Sequence, residues 1–196
     1  MYKVYGGTAS RSFRVLWMLE EIRQPYEVIP LKSQSDEIKA INPTGKIPAM
    51  TEGDHLLTDS VAIMSYLADK HGALTFAAGT IDRAHQDALI HTLNDEFDAL
   101  LWAAARLSSR VPQELRVPQV VPALHWEFAR NLDRLETRFK GPFLQGEQIT
   151  VADILAVHCL NWDILARFPV ENERLRNYAK ELSKRETYQR ARERGA

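Results

Sequence analysis

The chain has 196 residues, of which 45% are hydrophobic and 26% are charged, as is typical of a globular protein with one large or two small domains. Lysine and arginine number 25 against 26 aspartate and glutamate residues, which argues against a dedicated nucleic-acid or anionic-membrane surface. The lone cysteine, Cys159, excludes an intrachain disulfide. The first residues lack the apolar region of a secretory signal and no apolar run could span a bilayer, so we expect a cytoplasmic protein.

The first 74 residues alternate short apolar runs with helical patterns, in the order βαβαββα. A strand, a helix and a strand in succession require a crossover between parallel strands, whereas the later hairpin around Gly53 and Asp54 adds antiparallel strands. We therefore predict a small, mixed, four-stranded sheet in an α/β domain. The predicted strands cover residues 3–5, 26–31, 49–52 and 56–58, and the predicted helices cover residues 12–23, 36–41 and 59–70.

After a linker at residues 75–80, the pattern is helical from residue 81 to residue 196, which predicts an all-α second domain built as a helical bundle. One long helix is expected to stop before Val111, because proline at the next position disfavours a helical residue before it. Another is expected over residues 121–140, ending at Gly141 and Pro142. The highly charged tail, residues 184–194, is interpreted as a solvated helix or a frayed end.

Thr150 and Asp153 mark the start of an apolar helix in this second half. Their spacing resembles a capping box, with aspartate in place of the usual glutamate. The apolar residues that follow, including Ile154 and Leu155, predict a helix at the centre of the second domain. We interpret this segment as a folding element.

Ile47 and Pro48 lead into a predicted strand in the first domain. Proline has no N–H to give to a sheet, so Pro48 belongs at the start or edge of its strand, and we expect the bond before it to be cis. A cis bond would turn the Ile47 peptide group outward. Its N–H and C=O would then be available to pair with an extended peptide, as an added strand does.

Asp59 and Ser60 open the next predicted helix. The first N–H groups of a helix and the positive end of its dipole suit a carboxylate, to which Ser60 adds a hydroxyl donor, while Asp59 could hold an ammonium group. Helix capping alone is the simpler role for this pair, but its coupling to Ile47 and Pro48 favours a ligand site. Lys46 either offers a cation to a carboxylate or is a surface lysine.

A second candidate segment, residues 8–14, joins the first strand to the first helix, where helix N–H groups and the dipole favour an anion. Ser10 is best placed to contact such an anion, although serine just before a helix is more commonly an N-cap. Arg11 and Arg14 could guide an anionic ligand, but a solvated arginine is the more frequent outcome.

Other catalytic motifs are missing from the sequence. The six histidines show neither HExxH nor another paired spacing, which argues against a metal site. No GxSxG elbow marks a Ser-His-Asp arrangement, and no GxGxxG or Walker pattern follows a predicted strand. Cys159 lies in an apolar helical run and is interpreted as an inert core thiol.

In four stretches the chain resembles a cytosolic glutathione S-transferase, of bacterial type and with a serine-like active site. Any one stretch is weak, but the combination is specific and extends across both halves of the chain. The stretches are SRSFRVLWMLEE at 10–21, NPTGKIPA at 42–49, LTDSVAIMSYL at 57–67 and ITVADI at 149–154.

This resemblance implies a thioredoxin-like domain at residues 1–74, an all-helical domain at residues 81–196 and a homodimer. It also implies glutathione as co-substrate, bound along Lys46, Ile47 and Pro48, with its γ-glutamyl end at Asp59 and Ser60. By the family's pattern, a residue near the first helix serves the thiol. The matching position is Ser10, with Ser12 as the second choice. The family more often has glutamate where this chain has Asp59.

The activity implied is transfer of the glutathione thiolate to small hydrophobic electrophiles, as in detoxification. Peroxide reduction or isomerisation on the same site, or a non-catalytic binding and stress-regulatory role, are the alternatives. The electrophile cleft, which in this family lies between the domains, is expected to include Arg11 and Phe13. It is also expected to include Trp102 and Arg106, which share a helix face four residues apart. Trp102 could equally serve in packing.

Overall fold

The computed structural model describes residues 1–166, 168 and 171–195. It divides into two compact units, one formed by Met1–Arg83 with Ser183–Ala196 and the other by Ala84–Leu182. The end of the predicted helical domain therefore groups with the first unit. In the described residues, no helix is both long and apolar enough to cross a membrane.

The first unit contains the predicted mixed four-stranded sheet. Its strand order is β2-β1-β3-β4, with β1 parallel to β2 and antiparallel to β3, and with β3 antiparallel to β4. The element order βαβαββα is confirmed. The bounds are β1 Tyr2–Tyr5, α1 Ser12–Glu21, β2 Tyr26–Ile29, α2 Asp36–Ile41, β3 Ala49–Glu52, β4 His55–Thr58 and α3 Ser60–His71.

Strand register brings three connections to one edge of this sheet. Tyr5, the last residue of β1, pairs with Ala49, the first residue of β3, and Ala49 pairs in turn with Thr58, the last residue of β4. The chain therefore leaves β1, enters β3 and leaves β4 at the same edge. The predicted glutathione-binding residues lie in these three connections or at the first residue of the helix that follows, and they are Ser10, Ser12, Lys46, Ile47, Pro48, Asp59 and Ser60.

Helix α1 forms the buried centre of the first unit, since Val15, Leu16 and Trp17 have no exposed surface. The last helix, α9 (Glu186–Arg194), packs against it. The ring of Tyr188 lies edge-on to that of Trp17, with centroids 5.0 Å apart, and Ala191 is fully buried. The expectation of a solvated or frayed tail was wrong, because one face of this charged helix carries the residues that α1 buries.

The second unit is helical, as predicted. The long helix expected to stop before Val111 does end there, but it is interrupted by π-helical turns at Asn94–Asp98 and Arg106–Arg110. The helix expected over residues 121–140 ends earlier, at Glu136, because the next residues continue as i→i+3 turns. The bounds are α4 Ile81–Leu93, α5 Ala99–Ala105, α6 Val121–Glu136, α7 Val151–Ala166 and α8 Glu173–Ser183.

Asp153 holds the start of α7 in place. Its carboxylate accepts hydrogen bonds from the backbone N–H of Thr150 at 2.7 Å and of Leu144 at 2.9 Å, and from the hydroxyls of Thr150 and Tyr178. Burial raises the pKa of Asp153, and these hydrogen bonds offset part of that effect. The predicted folding element thus includes a side chain from α8, which the local pattern did not indicate.

Candidate functional site

Two of the three connections at the sheet edge approach each other closely. Gly6, which follows β1, has a φ of +114°, and a Cβ atom placed on it would lie 3.2 Å from Cβ of Ile47 and 2.2 Å from Oγ of Ser12. A side chain at this position would therefore be excluded by both the backbone conformation and the space. Glycine allows the loop after β1 to run against the segment that enters β3.

The Ile47 peptide group precedes β3 and is joined to it by Pro48. The Ile47–Pro48 bond is cis, as predicted. The Ile47 side chain packs against a core cluster of Tyr5, Ile38 and Ala49. Within the described part of the chain, no hydrogen bond joins either the N–H or the C=O of Ile47.

The turn before Ile47 is ordered by Asn42. The buried amide of Asn42 donates to the carbonyl of Lys46 at 2.9 Å, and its Oδ1 accepts from the hydroxyl of Thr44 at 2.9 Å. Lys46 itself is exposed. The backbone position of Ile47 therefore depends on a buried polar side chain, whereas Lys46 is available to a ligand or to solvent.

Asp59 is the N-cap of α3. Its Oδ1 accepts from the N–H groups of Val61 at 2.9 Å and Ala62 at 3.1 Å, so the capping role considered from sequence is present. Its backbone has φ 69° and ψ 126°, a conformation that residues with a Cβ rarely adopt and that concentrates at functional sites. The carboxylate is exposed, and its Oδ2 makes no hydrogen bond to the described residues.

Ser60 is the first residue of α3 and is 2% exposed. Its hydroxyl accepts a hydrogen bond of 3.2 Å from Nη1 of Arg14, which is fully buried in α1. Because Asp59 takes the next two N–H groups, the Ser60 N–H is left as the unpaired donor of the first turn among the described residues. A cation, a hydroxyl and a helix N–H therefore converge on one point.

Ser10 and Ser12 differ in what they can offer to a ligand. Oγ of Ser10, which is partly exposed, lies 2.9 Å from the carbonyl oxygen of Gly7 and 3.0 Å from Oγ of Ser12, and it accepts from the Ser12 N–H at 3.1 Å. Ser12 is fully buried, and its hydroxyl donates inward to the carbonyl of Tyr5 at 3.3 Å. Ser10 is therefore the accessible hydroxyl, and Ser12 is a structural one.

The remaining predicted residues are dispersed. Phe13 is buried at 5% exposure, and its ring packs edge-on against Tyr188 of α9 with centroids 4.9 Å apart. Its expected place in an electrophile cleft is corrected to packing between α1 and α9. Arg11 is half-buried at the start of α1. Trp102 and Arg106 lie in the second unit and are both exposed.

The sequence also matches known proteins along much of its length. A model of the glutathione S-transferase N-terminal domain matches residues 4–75, and one of the glutathione S-transferase C-terminal domain matches residues 103–186. Glutathione S-transferase F13 of Arabidopsis thaliana is 31% identical over 170 residues, covering 78% of this chain and 75% of that protein. The chain belongs to the glutathione S-transferase family.

Other members of the glutathione S-transferase family agree with this assignment. Human glutathione S-transferase theta-2 is 30% identical over 142 residues, a match that spans 67% of this chain and 56% of the human protein. A crystal structure of a Methylococcus capsulatus glutathione transferase has a TM-score of 0.87 at 21% identity and covers 98% of both chains. The transferase URE2P6 of Phanerochaete chrysosporium, crystallised with oxidized glutathione, has a TM-score of 0.79 at 26% identity, covering 98% of this chain and 94% of its own.

Sequence reasoning missed the part that Arg14 plays in this transferase-family site. Arg14 was interpreted as more often solvated, yet it is fully buried and contacts Ser60, which is 46 residues away in sequence. One signal was available, because the helix around it is apolar on both sides. A charge inside such a helix has to be paired, since an unpaired buried charge is very costly.

Proposed function

We propose that this transferase-family protein conjugates the glutathione thiolate to small hydrophobic electrophiles. The observation that carries the proposal is the Ile47 peptide group, which makes no hydrogen bond to the described residues and lies beside the start of α3. A tripeptide could pair with Ile47 as an added strand does. This geometry supports glutathione as the co-substrate, and family membership supports it independently.

We assign the γ-glutamyl end of glutathione to Asp59 and Ser60. The Ser60 N–H and hydroxyl would bind the α-carboxylate, because the hydroxyl accepts from Arg14 and keeps its own hydrogen for a ligand. Asp59 would hold the α-ammonium group with Oδ2, since Oδ1 caps the helix. Charged hydrogen bonds of this kind are about twice as strong as neutral ones. Pro48 would line the site beside Ile47, with Lys46 near a carboxylate.

Ser10 is the hydroxyl that we assign to the thiol. The thiol gives its proton to solvent, and the Ser10 hydroxyl turns from the Gly7 carbonyl to donate to the sulfur anion. An electron pair of the sulfur then forms the bond to the electrophile. A leaving group departs with its electrons, or an activated alkene gains the proton. A free thiol has a pKa of about 8.5, so a donor that favours the anion raises the reactive fraction at neutral pH.

Trp102 and Arg106, both in the second unit, are proposed to contact the electrophile. Trp102 is 37% exposed, which leaves part of its ring for an apolar ligand. Replacing it by alanine is expected to change the order of preference among electrophiles while glutathione affinity stays the same. If the variant loses only stability, Trp102 has a packing role.

We also propose the homodimer that is usual for the family. Leu56 on the edge strand β4 and Tyr66 on α3 are each 38% exposed, so the first unit has apolar surface that a second copy could cover. Light scattering across a concentration series checks this assembly. A monomer at every concentration would contradict it.

One observation favours a second function, that of a protein that binds glutathione without turning it over. The Ser10 hydroxyl has a single hydrogen to donate. Two oxygen acceptors of the protein, the Gly7 carbonyl and Oγ of Ser12, already lie within 3.0 Å of Oγ of Ser10. If these bonds persist when the ligand is bound, the sulfur receives no donor from Ser10. A peroxidase or isomerase activity would instead use the same bound thiolate on a different substrate.

Calorimetric titration with glutathione, S-methylglutathione and cysteinylglycine tests the proposed site. We expect both tripeptides to bind and cysteinylglycine, which lacks the γ-glutamyl group, to bind far more weakly. Turnover is then measured with an activated aryl halide, an organic hydroperoxide and a maleyl isomer as separate substrates. Glutathione binding with no turnover of any of them would favour the non-catalytic function, and absence of binding would overturn the proposal.

A further inference from the structure

Helix α9 is joined to the loop that carries Ser10 by a single backbone hydrogen bond. The helix ends at Arg194, and the carbonyl of the next residue, Gly195, accepts from the N–H of Thr8 at 3.0 Å. Gly195 is itself held by the helix, because its N–H donates to the carbonyl of Ala191 at 3.2 Å. The residue that supplies this acceptor is therefore anchored to the end of α9.

The peptide group between Gly7 and Thr8 connects α9 to Ser10. Its N–H, on Thr8, donates to Gly195, and its C=O, on Gly7, accepts from the Ser10 hydroxyl at 2.9 Å. In a trans peptide these two groups point in opposite directions, so fixing one fixes the other. Hydrogen bonds in such a chain also polarise one another. The position of Oγ of Ser10 thus depends on Gly195.

Glycine occupies both sides of this contact, where a side chain would have little space. Gly195 has a φ of −100°, which any residue adopts, but a Cβ there would lie 2.5 Å from Cδ1 of Leu16 and 2.8 Å from Cγ2 of Thr8. A Cβ on Gly7 would lie 3.0 Å from the Gly195 carbonyl oxygen. A side chain at either position would therefore crowd the approach of the two backbones.

Helix α9 is firmly attached to the first unit at its other end. Arg185, just before the helix, donates two hydrogen bonds to the Glu21 carboxylate, at 2.7 and 2.8 Å. Further along, Arg190 donates to Glu20 at 2.7 Å. Both carboxylates are almost fully buried, with side-chain exposures of 6% and 7%. The helix is therefore a rigid support from which Gly195 reaches the loop.

We propose that Gly195 is a positioning residue for Ser10, acting through the Gly7–Thr8 peptide group. The inference rests on the proposed function, since it assigns α9 a part in the activation of the glutathione thiol. Helix α9 holds the loop so that Oγ of Ser10 stands where it can turn to the sulfur. A loop without this support would leave Ser10 misplaced, and the bound thiol would have a higher pKa.

The test is Gly195→Ala, measured by the pH profile of kcat/KM and by the ultraviolet absorbance of the bound thiolate. We expect turnover at neutral pH to fall about two- to tenfold, the effect of one weakened hydrogen bond, and to recover as the pH rises. Thr8→Ser in the same chain removes the methyl group that crowds the new Cβ and should restore part of the loss. Glu193→Gln, at an exposed position of α9, should leave both the stability and the pH profile unchanged.

A double-mutant cycle with Ser10→Ala decides whether the effect passes through Ser10. The Gly195 substitution should leave the pH profile of the Ser10→Ala enzyme unaltered, and an equal further loss there would overturn the proposal. Amide exchange of the Thr8 N–H in the ligand-free protein provides a readout that needs no activity. Fast exchange in Gly195→Ala together with slow exchange in the parent protein supports the contact between Gly195 and Thr8. If glutathione fails to bind while this difference is observed, the proposed function fails and the contact stands. Unchanged exchange would contradict the contact itself.

Discussion

The guanidinium of Arg14 donates a 3.2 Å hydrogen bond to the hydroxyl of Ser60, and both side chains are buried beneath the start of α3. The bond fixes which way the hydroxyl faces, because an oxygen that accepts from a cation keeps its own hydrogen for a different partner. A carboxylate at this point would meet that hydrogen, the Ser60 N–H and the positive end of the helix together.

Replacing Ser60 by alanine is expected to weaken glutathione binding about ten- to 150-fold, which corresponds to about 1.5–3 kcal/mol for a hydrogen bond to a charged group. Turnover at saturating glutathione should change little, since the lost contact is remote from the sulfur. Calorimetric titration measures the affinity. Ser65→Ala on the same helix is the matched control, and an unchanged affinity in Ser60→Ala would mean that Ser60 serves only the protein.

Ser10→Ala is expected to raise the pKa of the bound thiol and to reduce turnover at neutral pH, with glutathione affinity little changed. One pKa unit corresponds to about 1.36 kcal/mol, within the range that one hydrogen bond to an anion contributes. The loss should be partly recovered at higher pH, where the thiol ionises unaided. The measurement is kcat/KM against pH.

Ser12→Ala is the comparison for that experiment. The Ser12 hydroxyl faces the interior and donates to Tyr5, so its loss should reduce the free energy of unfolding without the pH-dependent loss of turnover. The opposite pattern, with the pH effect in Ser12→Ala alone, would reverse the two assignments. If neither variant shows it, thiol activation comes from backbone N–H groups or from Arg11.

Glu21 should make the attachment of α9 sensitive to acid. Burial opposes ionisation of this carboxyl, but hydrogen bonds from Arg185, Thr187 and Trp17 outweigh it and hold its pKa below the ordinary value of 4.5. A carboxylate with a lower pKa in the folded state stabilises the fold above its unfolded pKa. That contribution is lost as the pH falls through the folded pKa.

Glu21→Gln is therefore expected to cost about 1.5–3 kcal/mol of unfolding free energy at neutral pH, and less as the pH falls below 4.5. Urea unfolding at a series of pH values measures both effects. Glu186→Gln provides the control, since that side chain is 93% exposed and its pairing with Arg190 at 3.5 Å should matter little. An equal cost of Glu21→Gln at every pH would refute the assignment.

Asp153→Ala is expected to destabilise the second unit by about 3–5 kcal/mol, because it leaves several buried donors without an acceptor. Tyr178→Phe removes one of those donors together with its hydrogen bond and should cost much less. Chemical denaturation of both variants tests the difference. Equal losses would show that the hydroxyl of Tyr178 accounts for the strength of the network.

Sequence alone predicted the elements of the first unit, the helical character of the second and the family resemblance. It could do so because the signals are local: the periodicity of strands and helices, the proline at position 48 and the helix start at Asp59 and Ser60. Such patterns are set by backbone geometry and by capping within a few residues. The register of short strands then follows from the hairpin, which is also local.

Tertiary structure decided what depended on long-range partners. Arg14 is buried against Ser60, and the Ser12 hydroxyl donates inward to Tyr5. Phe13 packs against Tyr188, and Gly195 accepts a hydrogen bond from Thr8. Each of these contacts joins two separate segments of the chain. A residue's type fixes which bonds it can make, but which partner lies within 3 Å depends on how the elements pack. For this reason the charged tail, interpreted from sequence as solvated or frayed, is a helix that packs against α1.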